Sequence, residues 1–194
     1  MHTCNLSVVI VSWNTAALLR DCLHSVTANA PGAAEIIVVD NGSSDDSAVV
    51  VQREFPHARL IQNQCNVGFA HANNQGIAES TARYVLLLNS DTRLPPDTLL
   101  QLVEFMEQHP QAGCCSPQLR TADGTPQPFA FGQDPRPGYL LKRAVYRLVW
   151  RRALHDWGTD QVQPVDWVSG ACLIVRRQVI EQIGGCLLYT SPSP

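Results

Sequence analysis

No stretch of this 194-residue chain approaches the roughly 20 consecutive apolar residues of a spanning helix, so any membrane contact is expected to be peripheral. The opening residues, Met1-His2-Thr3-Cys4-Asn5, lack the positive charge of a secretion signal, and the apolar run behind them breaks at Ser12 and Asn14. That run reads as a first strand. Neither Cys-x-x-Cys nor a Cys/His ligand set occurs, which argues against a structural zinc. The seven cysteines, odd in number and without paired spacing, read as reduced thiols of a cytosolic protein. A net charge of -3 gives no reason to expect a nucleic-acid partner. Gly-x-Gly-x-x-Gly and Gly-x-x-x-x-Gly-Lys-[Ser/Thr] are both missing, which disfavours a Rossmann dehydrogenase and a P-loop enzyme. A Gly-rich, Arg/Lys-bearing triphosphate loop is likewise missing after the first strand, which speaks against a sugar nucleotidyltransferase. There is no internal repeat, and the length suits one domain with a real core.

What is present centres on Tyr84-Val85-Leu86-Leu87-Leu88-Asn89-Ser90-Asp91-Thr92, a continuous apolar run that stops in a polar turn ending in a carboxylate. A strand buried on both faces delivers an acid to the mouth of a parallel sheet in this way. Before it come a strand from Leu6 to Trp13, a helix with Leu18, Leu19, Cys22, Leu23 and Val26 on its buried face, and a strand from Glu35 to Asp40. A helix from about Asp46 to Glu54 follows, then a short strand from Arg59 to Gln62 and a helix from Ala70 to Ser80. Strand and helix alternating in this order imply a parallel sheet with right-handed crossovers. Beyond the central strand, Pro95-Pro96 suit the first turn of a helix reaching about Gln108, and Asp123-Gly124 suggests a hairpin. Val165 to Val175 reads as a further strand interrupted at Ser169-Gly170-Ala171, with a helix from Arg176.

Open α/β sheets bind ligands outside the carboxyl ends of their strands. Asp91 there could hold a divalent cation against a phosphate, or it could cap the helix starting near Pro95. Asp40 ends the second strand and could face the same crevice, accepting hydrogen bonds from a base or ribose, or cap the helix after it. Trp13 ends the first strand, where an indole either stacks on a base or joins the core. The run Asn66 to Gly76 combines glycine with a helix start, which suits an anion or simply close packing. Tyr139 to Trp157 places Lys142, Arg143, Arg147, Arg151 and Arg152 among apolar and aromatic residues, with no acid until Asp156. It reads either as a peripheral contact with an anionic membrane or as a solvated helix with one buried stripe. His71 and His155 have no spacing that suggests a ligand or a base.

In order, LSVVIVSWN, EIIVVDNGSSDDS, NVGFAHANNQG, YVLLLNSDT and VDWVSGACLIVRR resemble the family 2 glycosyltransferases, in particular their rhamnosyltransferase-like branch, over about residues 6 to 185. The resemblance implies a GT-A fold, with a mostly parallel central sheet flanked by helices. It implies a single domain over 1–185, with a nucleotide-sugar-binding half at 6–110 and a partial acceptor half at 111–185. The implied activity is sugar transfer with inversion from a dTDP- or UDP-sugar to a glycan or lipid-linked acceptor, aided by Mg²⁺ or Mn²⁺ on the cytosolic side. Matched by position, Val11, Trp13 and Asp40 line the base and ribose pocket, Ser90 joins the donor side, and Asn66 and Gly68 form a loop beside the donor. Asp91 matches the last acid of the Asp-x-Asp metal motif, whose first position is here Asn89. Asp166, Trp167 and Gly170 fall on the acceptor side, for which a buried edge with small residues is the plain alternative. The family's catalytic base lies beyond a Gly-Gly-Phe-Asp segment from which this chain departs at Gly185, so the base is expected past that point and Asp166 is not its match. Residues 186–194 abandon every earlier pattern and read as a non-native tail on a truncated frame. A non-catalytic nucleotide-binding α/β module, with Asp40 and Asp91 as helix caps, is the rival from another class.

Overall fold

Apolar runs bounded by turn residues build the first strands, and their pairing was followed in a computed structural model that describes residues 5–30, 34–138, 145–150, 156–159 and 161–185. The chain divides into two compact units, one formed by Met1–Cys115 with Gly170–Pro194 and the other by Ser116–Ser169. This division differs from the expected halves at 110 and 111, because the chain from Gly170 onward returns to the first unit's sheet.

The first unit contains β1 (Leu6–Ser12), α1 (Ala16–Asn29), β2 (Glu35–Asp40), α2 (Ser47–Glu54), β3 (Arg59–Gln62), α3 (Phe69–Glu79), β4 (Tyr84–Asn89), α4 (Thr98–Gln108) and β5 (Cys114–Cys115). In the second unit lie β6 (Phe131–Gly132), a π-helical turn at Tyr146–Trp150 and β7 (Trp167–Val168); β8 (Cys172–Arg176) and α5 (Arg177–Ile183) then complete the first. The central sheet has six strands in the order β3-β2-β1-β4-β8-β5. β1, β2, β3 and β4 run parallel, whereas β8 is antiparallel to β4 and β5 antiparallel to β8.

β1 and β4 occupy the middle, so both of their faces are covered and alternation gives way to continuous apolar sequence. Val8, Val9, Ile10, Val85, Leu86 and Leu88 are buried accordingly. On α1, Leu19, Cys22, Leu23 and Val26 are buried as their spacing predicts, but Leu18 is 49% exposed.

Three expectations about elements need correction. The strand read over Val165 to Val175 is two strands in two sheets: β7 pairs with β6, and β8 with β4. The small residues Ser169-Gly170-Ala171 form the turn between them rather than an interruption within one strand. The helix expected from Pro95 begins at Thr98, because Asp97 adopts a left-handed conformation (φ 63°) and the prolines form the approach. Asn29 meets this start by accepting the Thr98 N–H at 3.1 Å. At Asp123-Gly124 a tight turn does occur, joined by a single bridge between Arg120 and Pro126. The tail at 186–194, His155 and most of the basic segment at 139–157 lie outside the described residues.

Candidate active site

Register decides what meets at the carboxyl edge of the sheet. Ser12 of β1 stands opposite Asp40 of β2, and Val11 stands opposite Asn89 of β4. The three strands therefore end together, and Trp13, Asn41 and Ser90-Asp91 leave them along one edge. A cleft of about 290 Å³ opens there. Val11, Trp13, Thr15 and Leu18 line it from β1 and α1, Asn41 from β2, Asn66 and Phe69 from the approach to α3, and Asn89, Ser90 and Asp91 from β4.

The two acids at this edge differ sharply. Asp91 is exposed on the cleft wall. Asp40 is 3% exposed and is not one of the lining residues; among the described residues its Oδ1 is the one buried side-chain oxygen or nitrogen without a hydrogen-bond partner. Burying such a group costs free energy that nothing within the fold returns. Neither acid caps a helix, since the N-cap positions of α2 and α4 belong to Asp46 and Asp97. Trp13 is 54% exposed, which rules out the core reading of its indole.

The turn carrying Trp13 is fixed from the side. Asn14 takes φ 55°, and its side-chain oxygen accepts the Ser44 N–H at 2.8 Å while its own N–H donates to Ser43 Oγ at 2.9 Å. Asp45 accepts from the Ala16 N–H at 2.9 Å and from the Ser47 N–H at 3.0 Å. Burial alone would raise the Asp45 pKa, but the hydrogen bonds from Ser47 and Ala16 outweigh it and hold the carboxyl below its ordinary value. Thr15 places its hydroxyl 2.9 Å from Ser12 Oγ and 2.9 Å from Ser90 Oγ.

Amide side chains hold the opposite wall. Asn41 Oδ1 accepts from the Val67 N–H at 3.0 Å and from Asn63 Nδ2 at 3.1 Å, while Asn41 Nδ2 donates to Asn66 Oδ1 at 2.8 Å. Asn66 Oδ1 also accepts the Gly68 N–H at 2.9 Å, so this oxygen shapes the loop. Gly68 has φ 87°, which lets the chain turn into α3 without a Cβ clash. Gly42 (φ 78°) lies so near the next loop that a Cβ would stand 2.6 Å from the Cys65 backbone.

Below the turn of β4, Cys22 points its thiol at the Asn89 carbonyl, 3.6 Å away. Burial, with a smaller contribution from the charge of Asp91, pushes this thiol up to about 12. It is a structural thiol, inert near neutral pH.

The acceptor-side candidates are divided between the units. Gly170 belongs to the cleft's own unit, where a Cβ would stand 4.0 Å from Phe69 Cε1. Asp166 and Trp167 belong to the other. Asp166 Oδ2 accepts the Asp134 N–H at 2.9 Å, and Trp167 Nε1 donates to the Gln133 carbonyl at 3.2 Å. The residues that sequence reasoning missed are Thr15, Leu18, Asn41 and Phe69. For Thr15 and Asn41 the available signal was position, three residues and one residue past a buried strand. Leu18 and Phe69 fit helical patterns equally well when buried.

No group of three or more His, Cys, Asp or Glu that could hold a metal occurs among the described residues. The donors available at the turn are oxygens from Asp91, Asn89 and Ser90. That set fits a hard cation held by one carboxylate, with phosphate and water completing its shell.

The profile of glycosyl transferase family 2 matches residues 7–161. An N-acetylglucosaminyl-diphospho-decaprenol L-rhamnosyltransferase of Mycobacterium tuberculosis is 29% identical over 199 residues, covering 93% of this chain and 64% of its own length. A low-salt glycan biosynthesis hexosyltransferase, Agl10 of Haloferax volcanii, is 27% identical, covering 93% of this chain and 55% of its own. Among solved structures, the mannosyltransferase PcManGT from Pyrobaculum calidifontis, in complex with GDP-Man and Mn²⁺, superposes with a TM-score of 0.63 at 21% identity, over 93% of this chain and 47% of that one. S. aureus TarS 1-349 in complex with UDP-GlcNAc gives 0.62 at 19% identity, over 92% and 47%. This chain thus spans less than two thirds of these relatives. The shared architecture is the GT-A fold, and the chain belongs to glycosyl transferase family 2.

Proposed function

We propose that the chain takes part in moving a sugar from a dTDP- or UDP-sugar to a glycan or lipid-linked acceptor, with inversion at the anomeric carbon and with Mg²⁺ or Mn²⁺ held at Asp91. The observation that carries this reading is the unpartnered Oδ1 of buried Asp40 at the carboxyl edge of the sheet. Uracil and thymine each present one ring N–H that such an oxygen accepts, returning the free energy lost by burying it. The exposed indole of Trp13 offers a face for the base, and Val11 and Leu18 add apolar wall. Asn66, Gly68 and Ser90 keep the cleft's shape around the donor.

Asp91 supplies the carboxylate that holds the cation, with Asn89 and Ser90 as neighbouring oxygen donors. When bound, a divalent cation neutralises the charge building on the departing diphosphate. The acceptor hydroxyl oxygen bonds to the anomeric carbon as the bond to the diphosphate oxygen breaks, and its proton passes to a base on the opposite face of the sugar. That base is expected past Gly185, outside the described residues. Asp166, Trp167 and Gly170 are acceptor-side candidates.

The names of the relatives support this class of chemistry, and L-rhamnose is the first sugar to test. No described helix is long and apolar enough to cross a membrane. A peripheral contact through 139–157 on the cytosolic side would bring the cleft to a lipid-linked acceptor, and it is supported by the exposure of Leu148 (80%) and Val149 (65%).

Calorimetric titration of dTDP and UDP, with and without Mn²⁺, into the parent, Asp40→Asn and Asp91→Ala tests the reading. The expected result is weaker nucleotide binding in Asp40→Asn under both conditions and loss of the Mn²⁺ enhancement in Asp91→Ala. Equal binding by all three proteins in Mn²⁺ would overturn it and favour the rival, a non-catalytic nucleotide-binding α/β module.

A further inference from the structure

Thr15 occupies the N-cap position of α1, where a threonine hydroxyl ordinarily accepts a backbone N–H of the first turn, yet it makes no such bond. The work at that helix start is done from the β2–α2 loop. Asp45 accepts the Ala16 N–H at 2.9 Å, and Ser47 Oγ accepts the Thr15 N–H at 3.3 Å. This releases the Thr15 hydroxyl to stand between two other hydroxyls, 2.9 Å from Ser12 Oγ and 2.9 Å from Ser90 Oγ. Ser12 is 1% exposed and is paired in register with Asp40; Ser90 is 7% exposed and directly precedes Asp91. The hydroxyl chain therefore runs from the strand beside the unpartnered carboxylate to the turn that bears the exposed one.

The backbone on either side of that turn is held independently. The Asn89 N–H donates to the Ala171 carbonyl at 2.9 Å, and the Thr92 N–H donates to the Asn89 carbonyl at 3.1 Å. Between these anchors, the bond from Thr15 fixes the side chain next to Asp91. We propose that Thr15 is a positioning residue: by locking Ser90 it fixes the direction in which Asp91 presents its carboxylate, and so sets the affinity of the cleft for a divalent cation. The inference rests on the reading in which Asp91 holds that cation, and it leaves nucleoside recognition to Asp40 and Trp13. A hydroxyl shared by two partners in a part-buried network is worth more than either contact alone.

The test compares Thr15→Val, Thr15→Ser and Asp91→Ala with the parent. Free Mn²⁺ is measured by electron paramagnetic resonance in the presence of saturating UDP, and UDP affinity is measured separately without metal. Thr15→Val should raise the half-saturating Mn²⁺ concentration about tenfold, the factor one ordinary hydrogen bond supplies, and by a clearly larger factor than it changes metal-free UDP affinity. Thr15→Ser, which keeps the hydroxyl, should restore the parent value. If Asp91→Ala loses Mn²⁺ binding while Thr15→Val matches the parent, the Thr15 inference fails and the role of Asp91 stands. If Asp91→Ala binds Mn²⁺ as the parent does, the underlying reading fails. An equal loss of metal-free UDP affinity in Thr15→Val would make the residue a wall of the nucleotide pocket and would also overturn the inference. Should Thr15→Val not fold, Thr15→Ala removes the same bond without a branched side chain and carries the same expectation for Mn²⁺.

Discussion

The two ends of the parallel strands treat their polar groups in opposite ways. At the amino end, Tyr84 is fully buried and its hydroxyl accepts from Arg176 Nη1 at 3.1 Å. Arg176, 8% exposed, spends its other donors on carbonyls: Nη2 on Met106 at 2.9 Å and His109 at 3.4 Å, and Nε on Ala112 at 3.3 Å. Its neighbour Arg177 donates from Nε to the Ala82 carbonyl at 2.6 Å and from Nη2 to Ser80 Oγ at 2.7 Å. At the carboxyl end, Asp40 keeps an unpartnered oxygen and Asp91 faces an open cleft. The contrast teaches where to look for chemistry in one sheet: the end that satisfies itself holds the fold together, and the end that does not is prepared for a ligand.

If the comparison is sound, substitutions at the two ends should leave opposite signatures. The largest effect is expected from Asp91→Ala, with sugar transfer by the whole enzyme falling about 10³-fold through loss of electrostatic stabilisation. Urea unfolding of the same variant should shift by no more than about 0.5 kcal/mol, as for an exposed side chain. Arg176→Met should do the reverse, lowering stability by about 3 kcal/mol because it strands Tyr84 and several carbonyls in the core. The folded fraction of that variant should still bind UDP as the parent does. Gly42→Ala comes next, at about 2 kcal/mol of destabilisation, since the residue has a positive φ and no room beside the Cys65 backbone.

Asp40→Asn sharpens the contrast further. It should weaken UDP binding about tenfold, as expected for loss of a charge-assisted hydrogen bond, while chemical stability stays level or rises. A clear loss of stability in this variant would mean that the carboxylate serves the fold after all. The smallest effect is alkaline. Burial raises the Cys22 and Cys172 thiols from 9.0 to about 12, so the unfolded chain releases these protons first. Their contribution to stability is complete below pH 9 and should disappear as pH rises toward 12. Replacing both with alanine should flatten that decline in urea titrations between pH 8 and pH 11.

Much of the architecture at the sheet's carboxyl edge was legible in sequence because it is written in short segments. EIIVVD and YVLLLNSD each contain a buried strand and the acid just beyond it, and the apolar runs require a parallel sheet to cover them. Whether each acid was a cap could not be read there, since capping depends on where the helix starts, and Asp97 and Asp46 took those positions. The freeing of the Thr15 hydroxyl was hidden as well, because it depends on Asp45 and Ser47, which lie about thirty residues away in sequence. The clamp around Arg176 was equally hidden. An arginine after CLIV reads as a helix start, and only pairing with Tyr84 across the sheet turns it inward. The split of Val165 to Val175 into two sheets depends on which strands wait at each end, which local pattern does not encode.

The late arrival of β8 bears on how the molecule is made. Its partner β4 is complete by residue 89, but the antiparallel neighbour begins only at residue 172, after the whole Ser116–Ser169 unit has been synthesised. Throughout that interval the nascent chain carries an apolar strand with one bare hydrogen-bonding edge, the kind of surface on which chains join one another. Slowing the ribosome between those points should therefore lengthen the time that chaperones must shield the chain, and increase the share lost to aggregation.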